Sequence, residues 1–284
     1  MRLLVNIIDI ASLKWTFKMH KAIRIVSGFI LSISPAILNA APSFAGTYIG
    51  ADVGSAWASS SYHTNPNCPP STFSVFCDST AGSIVNGTAV GNSGTGQLNL
   101  TRANLDAHVG HNWVVRNFII GAEAEFGSLN LSKTVIANGI FPFPFLGNAY
   151  TVNNSISTSW LGTLRLRVGT VIKEHYLIYA AGGLAFTDFK LSSGYNDNAV
   201  GFGFPGGSGY NSKSRISSGW TLGAGGEWQF ADNYSAEIEY LYVKFNQLNL
   251  NVPLSNTPAY TQTMKVNADL STQIARIGFN YKFS

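Results

Sequence analysis

The chain has 284 residues, of which 11% are charged, 13% are aromatic and 29 are glycine. So few charges exclude an ordinary water-exposed surface, and so many glycines argue against a helical protein. The formal net charge of +4 lies at the N-terminus, because residues 1–45 hold five of the 18 bases and one of the 14 acids. The rest of the chain has 13 bases and 13 acids (18 − 5 and 14 − 1), so the basicity gives no support to nucleic-acid binding.

Residues 1–45 are predicted to be a cleavable export signal. A basic stretch at 19–24 precedes an apolar segment at 25–38, and two small-residue cleavage sites follow. We favour cleavage after Ala45, because alternation typical of a strand begins directly after it. Translation starting at Met19 is an open alternative. A proline and an asparagine interrupt the apolar region, which argues against an uncleaved membrane anchor.

Residues 46–284 are predicted to form one all-β domain, an eight-stranded antiparallel transmembrane β-barrel. In the second segment, Leu105, Val109 and Trp113 share one face, whereas Asp106 and His108 share the other. This period of two is typical of a strand between apolar and polar surroundings. The first and fifth segments have faces that the pattern does not assign. The eight segments are 47–58, 103–113, 118–127, 160–169, 175–189, 220–230, 236–242 and 275–283.

Short and long connections alternate between these segments. The short ones, 114–117, 172–174 and 231–233, are predicted to be tight turns. The long ones, rich in Gly, Asn, Ser, Thr and Pro, are 59–100, 130–157, 191–213 and 248–264. Outer-membrane barrels have short periplasmic turns and long external loops. The pattern therefore predicts both termini on the periplasmic side, the long loops outside the cell, and the apolar Phe141-Pro-Phe-Pro-Phe stretch among those loops.

The inward positions are predicted to carry an ionic network. Its eleven members are Asp106, His108, Glu123, Glu125, Arg165, Arg167, Glu227, Glu237, Glu239, Arg276 and Lys282. Paired carboxylates could serve acid–base catalysis. We favour a structural network, because side chains fill the lumen of an eight-stranded barrel and buried charges need partners. A filled or very narrow lumen follows from the strand number.

The alternative hypothesis is a lipid-modifying barrel enzyme that acts at the outer leaflet. Its candidate catalytic residues are histidines. His111 and His175 lie next to short turns, which places them at the wrong end for that reaction. His63 is predicted in the first long connection, at the correct end. No His or Cys cluster has metal-ligand spacing, so we expect no metal, no cofactor and no enzymatic activity.

Cys68 and Cys77 lie in the first long connection and are predicted to form a disulfide. Export places them in an oxidising compartment. The bridge would stabilise the fold by roughly 2–3 kcal/mol on the chain-entropy model. Two free thiols are the alternative.

Several ordered motifs resemble the porin-like outer-membrane barrel family of alphaproteobacteria, which includes outer-membrane immunogenic proteins and is similar to opacity-type barrels. The motifs lie at 160–169, 176–186, 219–228, 236–242 and 276–283. The two cysteines match no pattern of that family. The outward-facing residues of the segments are Leu, Val, Ile, Phe and Trp, which disfavours a soluble lipocalin-like carrier.

The resemblance implies export and insertion by the barrel-assembly machinery, which recognises alternating aromatics in a last strand. Phe279, Tyr281 and Phe283 match that signal. It also implies contact with outer-membrane lipid and lipopolysaccharide, and a role in envelope structure and display of surface loops, with at most small-solute passage. Binding of haem or another surface ligand is the alternative that the family leaves open, and the residues identify no loop partner.

Overall fold

Eight antiparallel strands form a closed barrel in the computed structural model, which describes residues 44–67, 81–116, 118–142, 147–201, 204–255 and 262–283. Each strand pairs with its neighbours in the chain, and the first pairs with the last. The predicted architecture is thereby confirmed. The strands are β1 (Gly46–Asn67), β2 (Gly96–Val115), β3 (Phe118–Ile140), β4 (Ala149–Ile172), β5 (Tyr176–Asp197), β6 (Ser208–Ala231), β7 (Tyr234–Leu254) and β8 (Gln262–Lys282).

The two ends of the barrel differ. At one end, called the turn end, short turns join β2 to β3, β4 to β5, and β6 to β7. Lys173 and Glu174 have φ angles of 49° and 64°, as the two central residues of a type I′ hairpin turn do. The described chain also begins and ends here, since Phe283 N–H donates to the Thr47 carbonyl over 2.9 Å. The opposite end is called the loop end.

An apolar belt surrounds the turn-end half of the barrel. Its outward residues include Leu105, Leu166, Ile238 and Phe279, each more than half exposed. Outward tryptophans border the belt on both sides: Trp113 and Trp228 near the turn end, and Trp57 and Trp220 toward the loop end. Such a belt with aromatic girdles is the surface that a membrane-spanning barrel presents to lipid.

The two faces of the wall exchange polarity beyond this belt, as β8 illustrates. In the belt half, Arg276 and Asn280 point inward and Ile277 points outward. Toward the loop end, Val266 and Leu270 are buried inside. The outward positions there are polar and are occupied by Lys265, Asn267, Asp269 and Ser271. The loop-end half therefore has an apolar core and a polar surface, the arrangement of a water-soluble barrel.

The predicted long connections were therefore wrong in extent, because much of each is strand. The stretch at 248–254 reads Leu-Asn-Leu-Asn-Val-Pro-Leu, and its apolar residues are buried in the core. Its polar alternates face outward, so the segment is a strand facing water and not a loop. Phe141, expected outside, is fully buried against Tyr150, with ring centroids 5.0 Å apart.

A helix, α1 (Ala81–Ser93), packs at the loop end against β1, β3 and β4. Its buried face consists of Asn86, Gly87, Val90 and Gly91. The Gly94 carbonyl after it accepts hydrogen bonds from Thr64 of β1 and from Asn154 of β4, the latter over 3.0 Å. The chain directly after the helix thus links β1 and β4 at the barrel mouth.

Within the described part of the chain, no helix is long and apolar enough to cross a bilayer.

Between β6 and β7, side-chain hydrogen bonds replace part of the main-chain ladder. The β6–β7 ladder stops at Gly219↔Phe245, and the two strands meet again only at the bridge Ser208↔Ser255. Between these points Asn211, Lys213 and Arg215 of β6 donate to main-chain carbonyls of β7, over 2.7, 3.1 and 3.1 Å. Carbonyl groups that the ladder leaves without a strand partner are satisfied in this way.

Candidate functional site in the barrel interior

Ten of the eleven predicted network residues lie together on the inward faces of β2, β3, β4, β6, β7 and β8, within the belt half. None of the ten is more than 8% exposed. The exception is Lys282, which is half-buried near the turn end, where its main chain bonds to Asn233. The alternation of each strand is what directs these side chains inward, as the sequence indicated.

Arg276 of β8 is the hub of the network. Its Nη1 and Nη2 atoms lie 2.7 and 2.8 Å from the two carboxylate oxygens of Glu125. Its Nε donates to Glu239 over 3.0 Å, and its Nη1 donates to Asp106 over 3.2 Å. One guanidinium therefore joins strands β2, β3, β7 and β8 across the lumen. Charged, paired hydrogen bonds of this kind are among the strongest that side chains make.

Arg165 of β4 repeats this role from the opposite wall of the barrel. Its Nη2 is 2.9 Å from Glu125 Oε2 and also bonds Glu123, and its Nη1 is 2.9 Å from Glu239 Oε1. Glu125 and Glu239 are therefore shared between two arginines. Shared carboxylates couple the arginines into one network, so the loss of any member affects the others.

Arg167 closes the network toward the turn end. Its Nη2 is 2.5 Å from Glu227 Oε2, and its Nη1 donates to the Tyr48 hydroxyl over 2.9 Å. Tyr48 in turn donates to Glu123 Oε2 over 2.7 Å. The guanidinium also lies 4.2 Å from the ring centroid of Tyr179, a cation–π contact. Both tyrosines were missing from the sequence prediction.

His108 of β2 is held from both ring nitrogens. Its Nδ1 is 2.8 Å from Asp52 Oδ2, and its Nε2 is 2.7 Å from Asn280 Oδ1. The Asn280 amide nitrogen faces Glu237 Oε2 at 3.1 Å, and because a carboxylate only accepts, the amide oxygen is the atom that faces His108. Both ring nitrogens therefore face acceptors, which is the arrangement of an imidazolium.

Asp52 is the most important residue that the sequence prediction missed. It lies on β1, whose faces mix Gly, Ala and Ser, so the polarity of the strand was not assigned. The available signal was its parity, opposite to that of Ile49 and Val53. It pairs in register with Asp106 on β2 and with Gly278 on β8. The Gly278 position leaves the room that the Asp52 carboxylate occupies.

The described interior holds more acid than base. Its carboxylates are Asp52, Asp106, Glu123, Glu125, Glu227, Glu237 and Glu239. Against these seven stand three arginines and one histidine, so the interior has three more acidic than basic side chains (7 − 4). Glu237 is the acid with the weakest compensation, since its nearest cation is His108 at 4.0 Å.

Asp52, His108 and Glu237 place one possible ligand atom each within 4.8 Å of one another. A metal ion there would require a lone pair on a ring nitrogen of His108. Both nitrogens are engaged with oxygen acceptors at 2.8 and 2.7 Å. The trio is therefore better suited to holding an imidazolium than to holding a metal.

One small cavity lies between the described interior side chains. A cavity of about 20 Å³ at the turn end is lined by Tyr48, Asn112, Glu227 and Asn280, among others. That is room for about one water molecule. Beyond the network the apolar core fills the loop-end half.

The other candidate residues lie apart from the network. His63 is on the outer face of β1, not in a loop as predicted, and pairs with Asn267. His111, at the turn end, bonds Thr47 Oγ1 over 2.8 Å, and His175 is in the β4–β5 turn. The aromatics of the predicted assembly signal, Phe279, Tyr281 and Phe283, face outward on or next to β8.

Cys68 and Cys77 lie outside the described residues, so their disulfide stays a prediction. Residues 1–43 also lie outside them, and the export signal likewise stays a prediction.

Known proteins resemble this chain over much of its length. The 31 kDa outer-membrane immunogenic protein of Brucella melitensis is 28% identical over 192 residues, covering 66% of this chain and 70% of that protein. The 25 kDa outer-membrane immunogenic protein of Brucella abortus is 34% identical over 122 residues, covering 43% and 46%. Among solved structures, the outer membrane protein OprG of Pseudomonas aeruginosa aligns with a TM-score of 0.41 at 13% identity, covering 84% and 96%.

A family model for the outer membrane protein beta-barrel domain matches residues 28–283, almost the whole chain. The predicted resemblance to the alphaproteobacterial immunogenic proteins is confirmed by the Brucella relatives. The apolar belt, the aromatic girdles and the closed ring of eight strands agree with this match. The chain belongs to the outer membrane protein beta-barrel family of the bacterial outer membrane.

Proposed function

We propose that this protein is a non-enzymatic structural protein of the outer membrane. It anchors a filled barrel in the bilayer and holds the loop-end half outside the cell as a rigid surface structure. The observation that carries this proposal is the filling of the interior at two successive levels. An ion-pair network fills the belt half, and an apolar core fills the half beyond it.

Solute passage is minimal on this proposal. Arg276, Glu125 and Glu239 connect strands from opposite sides of the lumen, with side chains at most 1% exposed. Moving them aside would leave buried charges without partners, which costs several kcal/mol. Beyond them the lumen is closed by packed side chains such as Phe189, Leu241 and Ile274, all fully buried.

The absence of catalysis is supported by access and by distance. A general acid or base must reach its substrate within hydrogen-bond range, and the ten network residues are at most 8% exposed. The three histidines considered for a lipid-modifying enzyme lie at both ends of the barrel, with His63 near the loop end and His111 and His175 at the turn end. They cannot share one site.

The orientation follows from the chemistry of outer-membrane barrels, whose short turns face the periplasm. The turn end, with both ends of the described chain, would face the periplasm, and α1 would lie outside the cell. Phe279, Tyr281 and Phe283 would serve as the signal for the barrel-assembly machinery. Membrane lipid and lipopolysaccharide would contact the apolar belt.

Reconstitution in planar bilayers tests the filled interior. Purified protein is expected to give no stable porin-sized conductance. As a matched variant, Arg276→Ala with Glu125→Ala removes the central pair and should also give no porin-sized conductance, because the apolar core still closes the lumen beyond the network. Stable conductance of porin size from the unaltered protein would contradict the proposal.

Tag insertion tests the orientation. A short epitope after Asn198 at the loop end should be labelled by antibody on intact cells. The same epitope after Asp232 at the turn end should be labelled only after permeabilisation. The opposite pattern would reverse the proposed orientation. In the same strains, His63→Ala should leave the lipid A profile unchanged, and a changed profile would favour the enzyme.

A further inference from the structure

Strands β2 and β3 separate at the edge of the apolar belt that is nearer the loop end, which is called its upper edge. Their ladder ends at Leu105↔Ser128, although β2 continues to Gly96 and β3 to Ile140. Beyond that point β2 pairs only with β1, and β3 pairs only with β4. The region between the diverging strands is called the fork.

Two cations occupy the fork. Arg102 of β2 and Lys133 of β3 are both exposed, although they lie on the inward parity of their strands. Arg102 Nη1 donates to the Thr101 carbonyl over 3.3 Å, and Lys133 Nζ donates to the Asn99 carbonyl over 3.2 Å. These carbonyls lie two residues apart, about 7 Å along β2, so both cations bond to the same short stretch of the strand. No described carboxylate lies within 4.0 Å of either group.

The cationic groups lie at the level of the upper aromatic girdle. Trp57 pairs with Thr101, whose carbonyl accepts from Arg102, and Trp160 pairs with Ser128 at the base of the fork. Lipid phosphates lie at this level, next to the interfacial tryptophans. Lysine and arginine at such a surface attract anionic headgroups.

An apolar groove runs down the outer wall directly below the fork. Its volume is about 590 Å³, and the small residues Ala107, Ala124 and Gly162 are among those that line it. Phe126 and Trp160, with ring centroids 5.5 Å apart, stand at its upper end. A second hollow of about 530 Å³ continues past Ala122 and Leu166 toward the turn end. The small residues lower the wall between large neighbours, which leaves an open apolar channel along the outer wall.

We propose that the groove and the fork together bind one phosphorylated glycolipid of the outer leaflet, of the lipid A type. An acyl chain lies in the groove, and a phosphate lies between Arg102 and Lys133. The pairing of two uncompensated cations with an apolar channel directly beneath them fits a lipid with an anionic head. This inference rests on the proposed function, because such glycolipids meet the loop end only if it faces outward.

The β6–β7 side of the barrel provides an internal control. Lys213 and Arg215 also donate to strand carbonyls there. The outward surface below them carries Trp220, Leu222 and Tyr240, large side chains in place of the alanines and glycine of the groove. It offers similar charge without an apolar channel.

Native mass spectrometry of the detergent-purified, folded protein tests the site. The probes are bisphosphorylated lipid A, its dephosphorylated form and phosphatidylglycerol. The unaltered protein should retain one lipid A. Arg102→Gln with Lys133→Gln should weaken lipid A binding at least about ten-fold, since each cation near the interface is worth a factor of roughly five. Lys213→Gln with Arg215→Gln should leave it within two-fold.

Ala124→Phe fills the groove without touching the charges and should also weaken lipid A binding. Heat-modifiable migration on SDS gels checks that every variant is folded. Unchanged binding in the Arg102/Lys133 variant or in Ala124→Phe overturns the site, and equal retention of phosphatidylglycerol overturns its assignment to a glycolipid. Binding in detergent does not depend on orientation in the cell, so a failed epitope experiment would overturn the proposed orientation and leave this measurement interpretable.

Discussion

Arg276 and Glu125 face each other across the barrel with two parallel contacts, of 2.7 and 2.8 Å. They belong to β8 and β3, which are separated in the ring by β1 and β2. A single pair thus joins the end of the chain to its first half. The pair is fully buried, so its members depend on each other for solvation.

Replacing Arg276 by Gln should therefore be strongly destabilising. Glu125, Glu239 and Asp106 would lose a shared cation, and breaking a buried pair costs about 3–5 kcal/mol. Urea titration of the folded fraction in detergent, followed by gel mobility, measures the loss. Arg215→Gln, which removes an exposed arginine, is the control and should change the free energy of unfolding by less than about 1 kcal/mol. Equal effects of the two variants would argue against a central network.

Glu237 should respond differently from Glu125 to the same substitution. Glu237→Gln removes an acid whose nearest cation is 4.0 Å away and keeps a polar side chain next to Asn280 and His108, so a change within about 1 kcal/mol is expected. Glu125→Gln weakens contacts with two arginines and should cost about 3–5 kcal/mol. The same urea titration compares them. A Glu237 variant as unstable as the Glu125 variant would contradict the conclusion that Glu237 is the acid with the weakest compensation.

Phe141 should be essential to the loop-end core. Its ring is fully buried against Tyr150, and Phe→Ala in a core costs about 3–5 kcal/mol. Because the belt half is separate from this core, Phe141→Ala should still insert into membranes but become sensitive to protease between β3 and β4. Ile136→Ala, at a position 63% exposed on the same strand, should remain resistant. Protection of both variants would contradict the role of Phe141.

Asp188 at the loop-end half provides a pH-dependent contribution. Partial burial alone would raise the pKa of its carboxyl, but the main-chain N–H groups of Ser159 and Trp160 donate to it, over 2.7 and 3.2 Å, and hold the pKa below its usual value. A carboxylate with a lowered folded-state pKa stabilises at pH values above its unfolded pKa of about 3.9. The contribution is then lost as the pH falls through the folded pKa.

Two substitutions at this position separate charge from hydrogen bonding. Asp188→Asn keeps an acceptor and should cost less than about 1 kcal/mol, whereas Asp188→Ala leaves the donors unpaired and should cost about 1–2 kcal/mol. Unfolding measured at pH 7 and at pH 3 should show the difference between the unaltered protein and the Ala variant shrinking at the lower pH. A pH-independent difference would exclude the charged interaction.

The strands of the belt half could be predicted from sequence because apolar residues alternate with ionic residues only in that half. Ile277 and Phe279 alternate with Arg276 and Gly278, and this contrast indicates both the strand and its faces. Beyond the girdle the contrast is between apolar residues and Asn or Ser. Such composition is shared by loops, so segments like 248–254 were assigned to connections although they also alternate.

The site was predictable in its arginines and in most of its acids but not in its connections. Which acid meets Arg276 depends on the register of strands distant in sequence, and no local pattern contains that register. The inward position of Asp52 follows only from the pairing of β1 with β2 and β8. Helix α1 is rich in Gly and Asn, weak helix formers, and depends on packing against β1 for its stability.

The continuation of the strands past the girdle has a geometric consequence for recognition. Strand β1 runs ten residues from Trp57 to Asn67, and at about 3.3 Å per residue with a tilt near 40° this raises its tip about 25 Å. In the proposed orientation, antibodies or partner proteins would meet a stiff pillar whose summit stands clear of the headgroups. Sequence change at the summit could alter what is recognised while the embedded base stays the same.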